Sequence, residues 1–163
     1  MSRQSPVSEV MTTEVLTFAP EDNVQSAMHT LVERGIDGAP VVDTDGVVVG
    51  MLTTGDLIVQ EASIHFPTMI SILGATLELP SAKKHLDEDL RKALGGTVAD
   101  VMQADPITIG ADDTIAEAAT LMHDHDVSRL PVIGNAGLVG IVARVDILRG
   151  IINEEAASAG DGA

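Results

Sequence analysis

The spacing of apolar residues predicts a short strand followed by an amphipathic helix near the start of the chain. Val15 to Phe18 form the predicted strand, and the helix begins near Asp22, because an acidic side chain can cap a helix there. Gly35 ends the helix, as glycine commonly does. Between them, apolar residues recur at intervals of three and four, which makes one continuous helix face. Its members are Val24, Ala27, Met28, Leu31 and Val32.

A β-hairpin is predicted directly after this helix. Pro40 leads a short apolar strand, Asp43 to Gly46 form the turn, and Val47 to Leu52 form the returning strand. The hairpin brings the end of its second strand back to the beginning of the first. We therefore expect Gly35 to Ala39 to lie beside Thr53 to Asp56. A second helix is predicted to follow.

The same order of elements occurs a second time. Pro40 returns as Pro131 at an offset of 91 (131 − 40), and Asp56 returns as Asp146 at an offset of 90 (146 − 56), so one residue is missing near the second turn. This regularity indicates a tandem duplication. The other positions that return at 91 are Val7, Val10, Met11, Thr17, Asp22, Ala27, Val41, Gly46 and Val48.

In the second repeat, the pattern predicts a strand over residues 105–109 and a helix that begins at Asp112 and Asp113. A closing helix is predicted from Ile147 to Asn153. The middle helix is expected to bury Ile115, Ala118, Ala119 and Met122.

The chain is therefore divided into five predicted segments. These are a flexible N-terminus (1–6), a first repeat (7–58), a helical insert or linker (59–96), a second repeat (97–152) and a small, polar, disordered tail (153–163). The insert is more apolar than a linker needs. Its apolar residues either cap the core of the repeats or form a self-association surface. They are Ile64, Met69, Ile70, Ile72, Leu73, Leu77 and Leu79.

Composition narrows the classes of function. The chain has two Phe and no Trp, Tyr or Cys, so its core is aliphatic and it has no disulfides. No apolar run approaches the roughly 18 residues of a membrane span, and the N-terminus lacks the apolar segment of a signal peptide. We therefore predict a cytoplasmic protein without membrane insertion. The formal net charge of −16 disfavours nucleic-acid binding, which relies on Lys and Arg.

Catalytic and metal motifs are absent from the sequence. It has no glycine-rich dinucleotide fingerprint, no Walker loop and no Gly-x-Ser-x-Gly, so we predict that the chain is not an enzyme and needs no catalytic cofactor. His123 to Asp126 reads His-Asp-His-Asp, but residues two apart do not share a helix face. No metal site is predicted.

The duplicated unit, with its proline-led strand and a Thr-x-x-Asp after the last strand, resembles the CBS domain. Two copies in tandem resemble a CBS pair, or Bateman module, from Val7 to about Ile151. The resemblance implies an α/β (α+β) fold of two tandem β-α-β-β-α repeats packed with pseudo-twofold symmetry. It also implies a regulatory module that binds an adenine nucleotide (AMP, ADP or ATP) in clefts between the repeats and signals to a separate protein partner.

The resemblance carries ligand-binding roles onto two groups of residues. An Asp would bind the ribose hydroxyls, and the residue three places earlier would help to hold phosphate. The first cleft would combine Thr53, Thr54 and Asp56 with Ile107, Thr108, Val127, Ser128 and Arg129. The second cleft would combine Ala143, Arg144 and Asp146 with Leu16, Thr17, Ile36 and Asp37.

The two clefts are expected to be unequal. Ala143 stands where Ser or Thr is expected, and Asp37 adds a negative charge near the presumed phosphate, which Arg144 could offset. The first cleft is therefore the predicted stronger one. Asp56 and Asp146 could also serve simply as helix caps.

Two alternatives to adenine-nucleotide binding stay open at this point. The ligand could instead be S-adenosylmethionine, methylthioadenosine or another adenosyl compound, since the second cleft is poor for a polyphosphate. The module could also be a dimerisation scaffold with no ligand. In each case, a homodimer is expected, because modules of this kind commonly pair face to face.

Overall fold

The structure is a computed structural model that describes residues 4–58, 70–72, 75–77 and 96–160. The chain divides into two compact units, named here after the aspartate that each contains. The Asp56 unit comprises Thr17–Val42 and Val49–Ala104, and the Asp146 unit comprises Met1–Leu16, Asp43–Val48 and Asp105–Ala163.

The first repeat supplies α1 (Val24–Arg34), β1 (Gly38–Val42), β2 (Val48–Thr53) and α2, of which residues 54–58 are described. The insert contains β3 (Ile70–Ile72) and β4 (Ala75–Leu77), which pair antiparallel. They are followed by α3 (Val98–Val101) and β5 (Gln103–Ala104). A three-stranded sheet has the order β1-β2-β5, and β5 runs antiparallel to β2 with Gln103 opposite Met51.

The Asp146 unit begins with a 3₁₀ turn, Val7–Glu9. The second repeat supplies β6 (Ile109–Gly110), α4 (Ile115–Asp124), β7 (Arg129–Gly134), β8 (Gly137–Ala143) and α5 (Arg144–Gly160). In this sheet β6 is parallel and β8 antiparallel to the central β7. Two three-stranded sheets with packed helices confirm the predicted α/β (α+β) class, and both predicted hairpins are present.

The first residues of each repeat, which begin at Val7 and Val98 and are called its head here, do not pack in the unit that holds the rest of that repeat. Each head packs in the other unit. Val7 is completely buried in the apolar cluster of the Asp146 unit, and its N–H donates to the carbonyl of Asp113 at 2.8 Å. Val98 is completely buried in the Asp56 unit, and its N–H donates to the carbonyl of Asp22 at the same distance. The two heads are thus exchanged relative to their order along the chain.

Both cores are aliphatic, as the composition predicts. The predicted helix faces are largely buried, but Val32 is 72% exposed and Ala119 is also exposed, so these two predictions were wrong. Each lies one position beyond a buried residue and is rotated about 100° away from the core. The main buried apolar residues of the Asp56 unit are Phe18, Val24, Ala27, Leu31, Ala39, Val41, Leu52, Leu57 and Val98. Those of the Asp146 unit are Val7, Ile109, Ile115, Ala118, Met122, Leu130, Val132, Val142 and Ile147.

Several predicted boundaries differ from the structure. The predicted strand over 15–18 is only a parallel bridge between Phe18 and Val41, and the one over 105–109 is reduced to β6. Asp22 does not cap α1. Its carboxylate accepts from the N–H of Ala19, and Asn23 is the N-cap. In the second repeat, Thr114 rather than Asp112 or Asp113 caps α4, in a capping box with Glu117.

The capping box at the start of α4 affects the acidity of Glu117. Hydrogen bonds from the backbone N–H and the hydroxyl of Thr114 lower the pKa of this exposed carboxyl. Because the pKa is lowered in the folded state, the cap stabilises the fold above the ordinary carboxyl pKa. That stabilisation is lost as the pH falls through the folded-state pKa.

The C-terminal tail was predicted to be disordered from residue 153, but α5 continues to Gly160. Ala and Glu dominate residues 154–159, and both favour helix. The Ser158 hydroxyl donates to the Glu154 carbonyl at 2.9 Å, within the helix. The Glu154 carboxylate also accepts from the N–H of Ser5 at 3.3 Å. Most of the predicted helical insert (residues 59–69, 73–74 and 78–95) lies outside the described residues, as do residues 1–3 of the predicted flexible N-terminus.

The helices α1 and α4, which occupy equivalent places in the two repeats, end in the same motif. The N–H of Ile36 donates to the Leu31 carbonyl, and the N–H of Val127 donates to the Met122 carbonyl, each at 3.0 Å across five residues. These are Schellman ends, which need one residue with positive φ. Gly35 fills this place in α1 at φ 62°, but Asp126 fills it in α4 at φ 51°. The second repeat therefore carries backbone strain that the first avoids.

Replacing Asp126 with glycine should stabilise the protein by roughly 0.5–1 kcal/mol, because glycine adopts positive φ without strain. The change removes an ion pair with Arg144 at 3.7 Å, but Asp126 is fully exposed and such pairs contribute little. Urea unfolding of the variant measures the effect. The matched control is Asp124→Gly, inside α4, which should destabilise the protein instead. Equal losses in both variants would contradict the assignment of strain to Asp126.

Candidate ligand-binding site

Asp56 is fixed at the start of α2 by the residue that ends β2. Its Oδ2 accepts hydrogen bonds from the N–H of Thr53 at 2.9 Å and from the Thr53 hydroxyl at 2.8 Å. The N–H of Asp56 donates back to the Thr53 hydroxyl at 3.3 Å. This is a reciprocal capping box, in which Thr53 is the cap and Asp56 the third helical residue. Asp56 is therefore not the N-cap considered from the sequence but the partner of the cap Thr53, and this role uses one carboxylate oxygen.

Asp146 is held in a similar way at the start of α5. Its Oδ2 accepts from the N–H of Ala143 at 2.9 Å, but alanine has no hydroxyl to complete the box. Asp146 is the buried polar residue of the described core, with 8% of its surface exposed. Each aspartate thus has a fixed orientation that the helix start imposes.

The second carboxylate oxygen of each aspartate accepts a hydrogen bond from a side chain outside the helix cap. Oδ1 of Asp56 accepts from Nε2 of Gln103 at 2.8 Å, and Gln103 is exposed. Oδ1 of Asp146 accepts from Nη1 of Arg149 at 3.0 Å, with 64% of the Arg149 side chain exposed. In both places, a surface side chain covers the oxygen that the helix start does not use.

The two aspartates differ in their remaining capacity to accept hydrogen bonds. A carboxylate accepts about four hydrogen bonds. Counting donors from the described residues, Asp56 receives three, two from Thr53 and one from Gln103. Asp146 receives two, from Ala143 and Arg149. Asp56 therefore has room for about one further donor and Asp146 for about two.

The start of each hairpin lies beside its end, as the sequence predicts. The N–H of Thr54 donates to the Asp37 carbonyl at 2.8 Å, and the N–H of Arg144 donates to the Ser128 carbonyl at 3.1 Å. These two bonds occupy equivalent places in the repeats. Each aspartate consequently stands next to the segment that precedes the proline-led strand of its own repeat.

The predicted site residues fall into the two units as follows. The Asp56 unit contains Thr17, Ile36, Asp37, Thr53, Thr54 and Asp56. The Asp146 unit contains Leu16, Ile107, Thr108, Val127, Ser128, Arg129, Ala143, Arg144 and Asp146. Each predicted cleft draws residues from both units, so the pairing of residues across the repeats stays a prediction.

Arg144 and Arg129 are placed differently in the Asp146 unit. Nη2 of Arg144 donates to the Val127 carbonyl at 3.3 Å and lies 3.7 Å from a carboxylate oxygen of Asp126. Arg144 is thus engaged with its own unit. Arg129 is half-buried at the start of β7, where it stands opposite Ala143.

Two polar residues of these sites were missed from the sequence. Arg149 follows Asp146 by three positions on a helix, and this spacing could have suggested the contact. Gln103 lies 47 residues from Asp56. Its one sequence signal is that it stands at the position equivalent to Thr12 of the first repeat (103 − 91).

A family model for the CBS domain matches residues 7–62 and 98–153. These matches cover more than half of the chain. The chain belongs to the CBS domain family. The resemblance drawn from the duplicated motifs is therefore confirmed, and each unit combines most of one CBS repeat with the first residues of the other.

Curated relatives of similar length match this chain over most of its residues. The CBS domain-containing protein YhcV of Bacillus subtilis is 28% identical over 156 residues, which cover 95% of this chain and 92% of that protein. A protein of Methanocaldococcus jannaschii is 28% identical over 153 residues, which cover 90% of this chain and 90% of that protein. Both likenesses extend over both CBS repeats.

Solved structures share the fold. The CBS domain of a membrane protein from Sphaerobacter thermophilus is 31% identical with a TM-score of 0.62, covering 90% of this chain and 88% of that one. CBSX2 of Arabidopsis thaliana in complex with AMP has a TM-score of 0.71 at 24% identity, with 92% and 98% covered. The CBS pair of MJ0100 in complex with 5′-methylthioadenosine and S-adenosyl-L-methionine has a TM-score of 0.67 at 20% identity, with the same coverage.

Two other features bear on the site. Within residues 4–58 and 96–160, no group of three metal-binding side chains lies close enough to hold an ion, and His123 to Asp126 form no such group. In the described part of the CBS pair, no helix has the length and apolar character needed to cross a membrane.

Proposed function

We propose that this CBS pair is a regulatory module that binds an adenosyl compound through its ribose hydroxyls at Asp56 and Asp146. One observation carries the proposal. Each aspartate is oriented by one oxygen at a helix start, and its other oxygen is covered by an exposed side chain rather than by the core. A carboxylate whose orientation is already fixed can accept the hydroxyls of a cis-diol without a further loss of side-chain conformational entropy.

The remaining predicted residues would surround the base and the phosphate. We propose that Arg129 and Ser128 contact phosphate oxygens, since a guanidinium forms strong, charge-assisted hydrogen bonds. The Thr53 hydroxyl already donates to Asp56, so a phosphate contact there requires that hydroxyl to rotate. The Thr54 hydroxyl is the alternative donor to phosphate, because the hydrogen bond that joins Thr54 to Asp37 uses the Thr54 N–H and not its side chain.

The two sites would prefer different adenosyl ligands. AMP, ADP or ATP suits Asp56, which has hydroxyl side chains beside it, and CBSX2 provides the precedent of a CBS pair with AMP. An uncharged or cationic ligand, S-adenosylmethionine or methylthioadenosine, suits Asp146. Ala143 offers no hydroxyl to a phosphate, and Arg144 is engaged with Asp126 and Val127. The same two compounds occur in the MJ0100 complex.

Regulation would follow from ligand binding alone. The sequence contains no catalytic motif, so we propose that the chain acts on a separate protein and does not transform its ligand. A ligand shifts such a module between two states only if it binds them with unequal affinity.

Isothermal titration calorimetry of the purified chain against AMP, ADP, ATP and S-adenosylmethionine tests the proposal. We expect binding of a nucleotide and a rise in melting temperature with ligand concentration, since the ligand binds the folded state. Chromatography of the recovered ligand should show it unchanged. Heat and melting temperature that do not respond to any of these compounds would overturn the proposal and favour a dimerisation scaffold.

A homodimer is the assembly that we propose for this module. Val145, Leu148 and Ile152 lie at i, i+3 and i+7 on α5 and are 57%, 59% and 63% exposed, so they form one apolar stripe. A chain with a net charge of −16 repels its own copies unless an apolar surface offsets this. Two copies of the stripe, related by a twofold axis, would bury each other.

Glutamate at both Leu148 and Ile152 should convert the dimer to a monomer, because two buried negative charges from each chain would face each other. Sedimentation velocity at tens of micromolar would measure the change. The matched control is Val47→Glu, at an apolar side chain that is 56% exposed but lies off the stripe. A wild-type chain that sediments as a monomer, or a dimer that survives both glutamates, would contradict the assignment of this stripe to a second copy.

A further inference from the structure

Gln103 occupies a position on Asp56 that a ribose hydroxyl would need. Its Nε2 donates to Oδ1 at 2.8 Å, whereas Thr53 saturates Oδ2 with two donors. About one acceptor position of the carboxylate remains, counted over the described residues, and a cis-diol that donates both hydroxyls needs two. One protein donor must therefore leave before the diol can bind fully.

Thr53 and Gln103 differ in how firmly the fold holds their hydrogen bonds to Asp56, and this difference decides which donor leaves. The Thr53 donors belong to the helix cap, so their loss would release the start of α2. Gln103 is exposed, and only its side chain reaches Asp56. Its backbone is fixed in β5, opposite Met51. A change of rotamer is thus enough to withdraw the amide, and the amide then bonds to water.

The second repeat lacks this arrangement. Thr12 stands at the equivalent position and pairs with Ile141, as Gln103 pairs with Met51. No hydrogen bond joins Thr12 to Asp146 in the parts of the chain that the structure describes, and Arg149 covers Oδ1 there instead. Among the described residues, an amide that donates to the aspartate is present at the Asp56 site and not at the Asp146 site.

We infer that Gln103 is a specificity-determining residue, whose amide competes with the ribose diol for Oδ1 of Asp56 and so lowers the affinity of that site for adenosyl ligands. The inference rests on the proposed function. It predicts that the effect of Gln103 depends on the number of ribose hydroxyls in the ligand. A ligand with two ribose hydroxyls must displace Gln103, whereas a ligand with one can use the acceptor position that remains.

The test uses the full chain with Asp146→Asn, so that only the Asp56 site reports, and compares AMP with 2′-deoxy-AMP by calorimetry. Gln103→Met keeps the length of the side chain and removes the donor. We expect this variant to bind AMP about tenfold more tightly, the equivalent of one hydrogen bond to a charged group. Binding of 2′-deoxy-AMP should change less than about twofold, because one hydroxyl needs no displacement.

The possible results distinguish competition by Gln103 from a role of Gln103 in positioning Asp56, and both from failure of the proposed function. Tighter binding of both ligands to the same extent would overturn the competition, since the gain would then not depend on the diol. Weaker binding of AMP would also overturn it and would show that Gln103 positions Asp56. If neither the wild-type chain nor these variants bind any adenosyl ligand while all unfold cooperatively, the proposed function itself fails, and the inference fails with it. If the wild-type chain binds AMP but the Asp146→Asn chain does not, or if the Asp146→Asn chain binds AMP equally with and without Gln103→Met, only the inference fails.

Discussion

Asp56→Asn should lower the affinity for AMP by at least about a hundredfold. The amide oxygen of asparagine can still accept from Thr53 in place of Oδ2. The amide nitrogen would then replace Oδ1, and it is a donor where the ribose hydroxyls need an acceptor. Two hydrogen bonds to a charged group are lost, each contributing about 1.5–3 kcal/mol. Calorimetry with AMP measures the loss, with the Asp146→Asn chain titrated in parallel.

A second capping box in the same unit provides the control for this experiment. The N–H and the hydroxyl of Thr97 donate to Oδ2 of Asp100 at 2.9 and 3.0 Å, the same geometry as at Thr53 and Asp56. Asp100→Asn should therefore have a similar effect on stability but leave AMP binding intact. Asp56→Asn with wild-type affinity would show that the ribose does not bind there.

Alanine at Gly50 or Gly140 should lower the free energy of unfolding by about 1–3 kcal/mol, the usual cost of overpacking. A Cβ at Gly50 would lie 2.9 Å from the carbonyl oxygen of Gln103 and would also meet Met102. One at Gly140 would lie 3.0 Å from the carbonyl oxygen of Thr12 and 2.9 Å from Cγ of Met11. The backbone carbonyls cannot move without breaking the pairing of the head with the hairpin. Urea denaturation measures the change.

Gly55 is the matched site for this comparison. It lies in α2, is exposed, and a Cβ there would be 3.6 Å from the Thr53 hydroxyl, an ordinary contact. Gly55→Ala should leave stability unchanged or raise it by roughly 0.5–1 kcal/mol, as glycine is unfavourable within a helix. If alanine is tolerated equally at Gly50, Gly140 and Gly55, the close packing of the heads is not what requires glycine.

Much of the fold could be predicted because it depends on neighbours along the chain. The Asp-Gly turn and its flanking β-branched residues specify the first hairpin, and Gly35 specifies the end of α1. The expectation that Thr54 lies beside Asp37 followed from the hairpin and is confirmed. The Thr-x-x-Asp motif placed Asp56 at a helix start, and the structure confirms this because Thr53 donates twice to its Oδ2. Its role as a ligand-binding residue stays a prediction that the resemblance implies.

The errors arose where a residue's environment is set by distant contacts. Val32 continues the apolar spacing of α1 and is exposed, since no element of the described structure covers that side of the helix. The bond from Gln103 to Asp56 joins residues that are 47 positions apart along the chain, which no local pattern predicts. The tail was misjudged for another reason, because its small polar composition suits both disorder and a helix that continues from a packed one.

The sequence by itself determined the duplicated unit, its two hairpins and the aspartate at the start of each closing helix. It could not decide which head packs on which hairpin. Gly50 and Gly140 are equivalent positions, so Met11 and Met102 fit either glycine equally well by any rule of pattern or propensity. Only the tertiary structure decided that Met11 covers Gly140 and Met102 covers Gly50. This exchange also brings Gln103, the residue after Met102, to Asp56. The choice between two nearly identical glycines is made by the packing of whole segments and not by local preference.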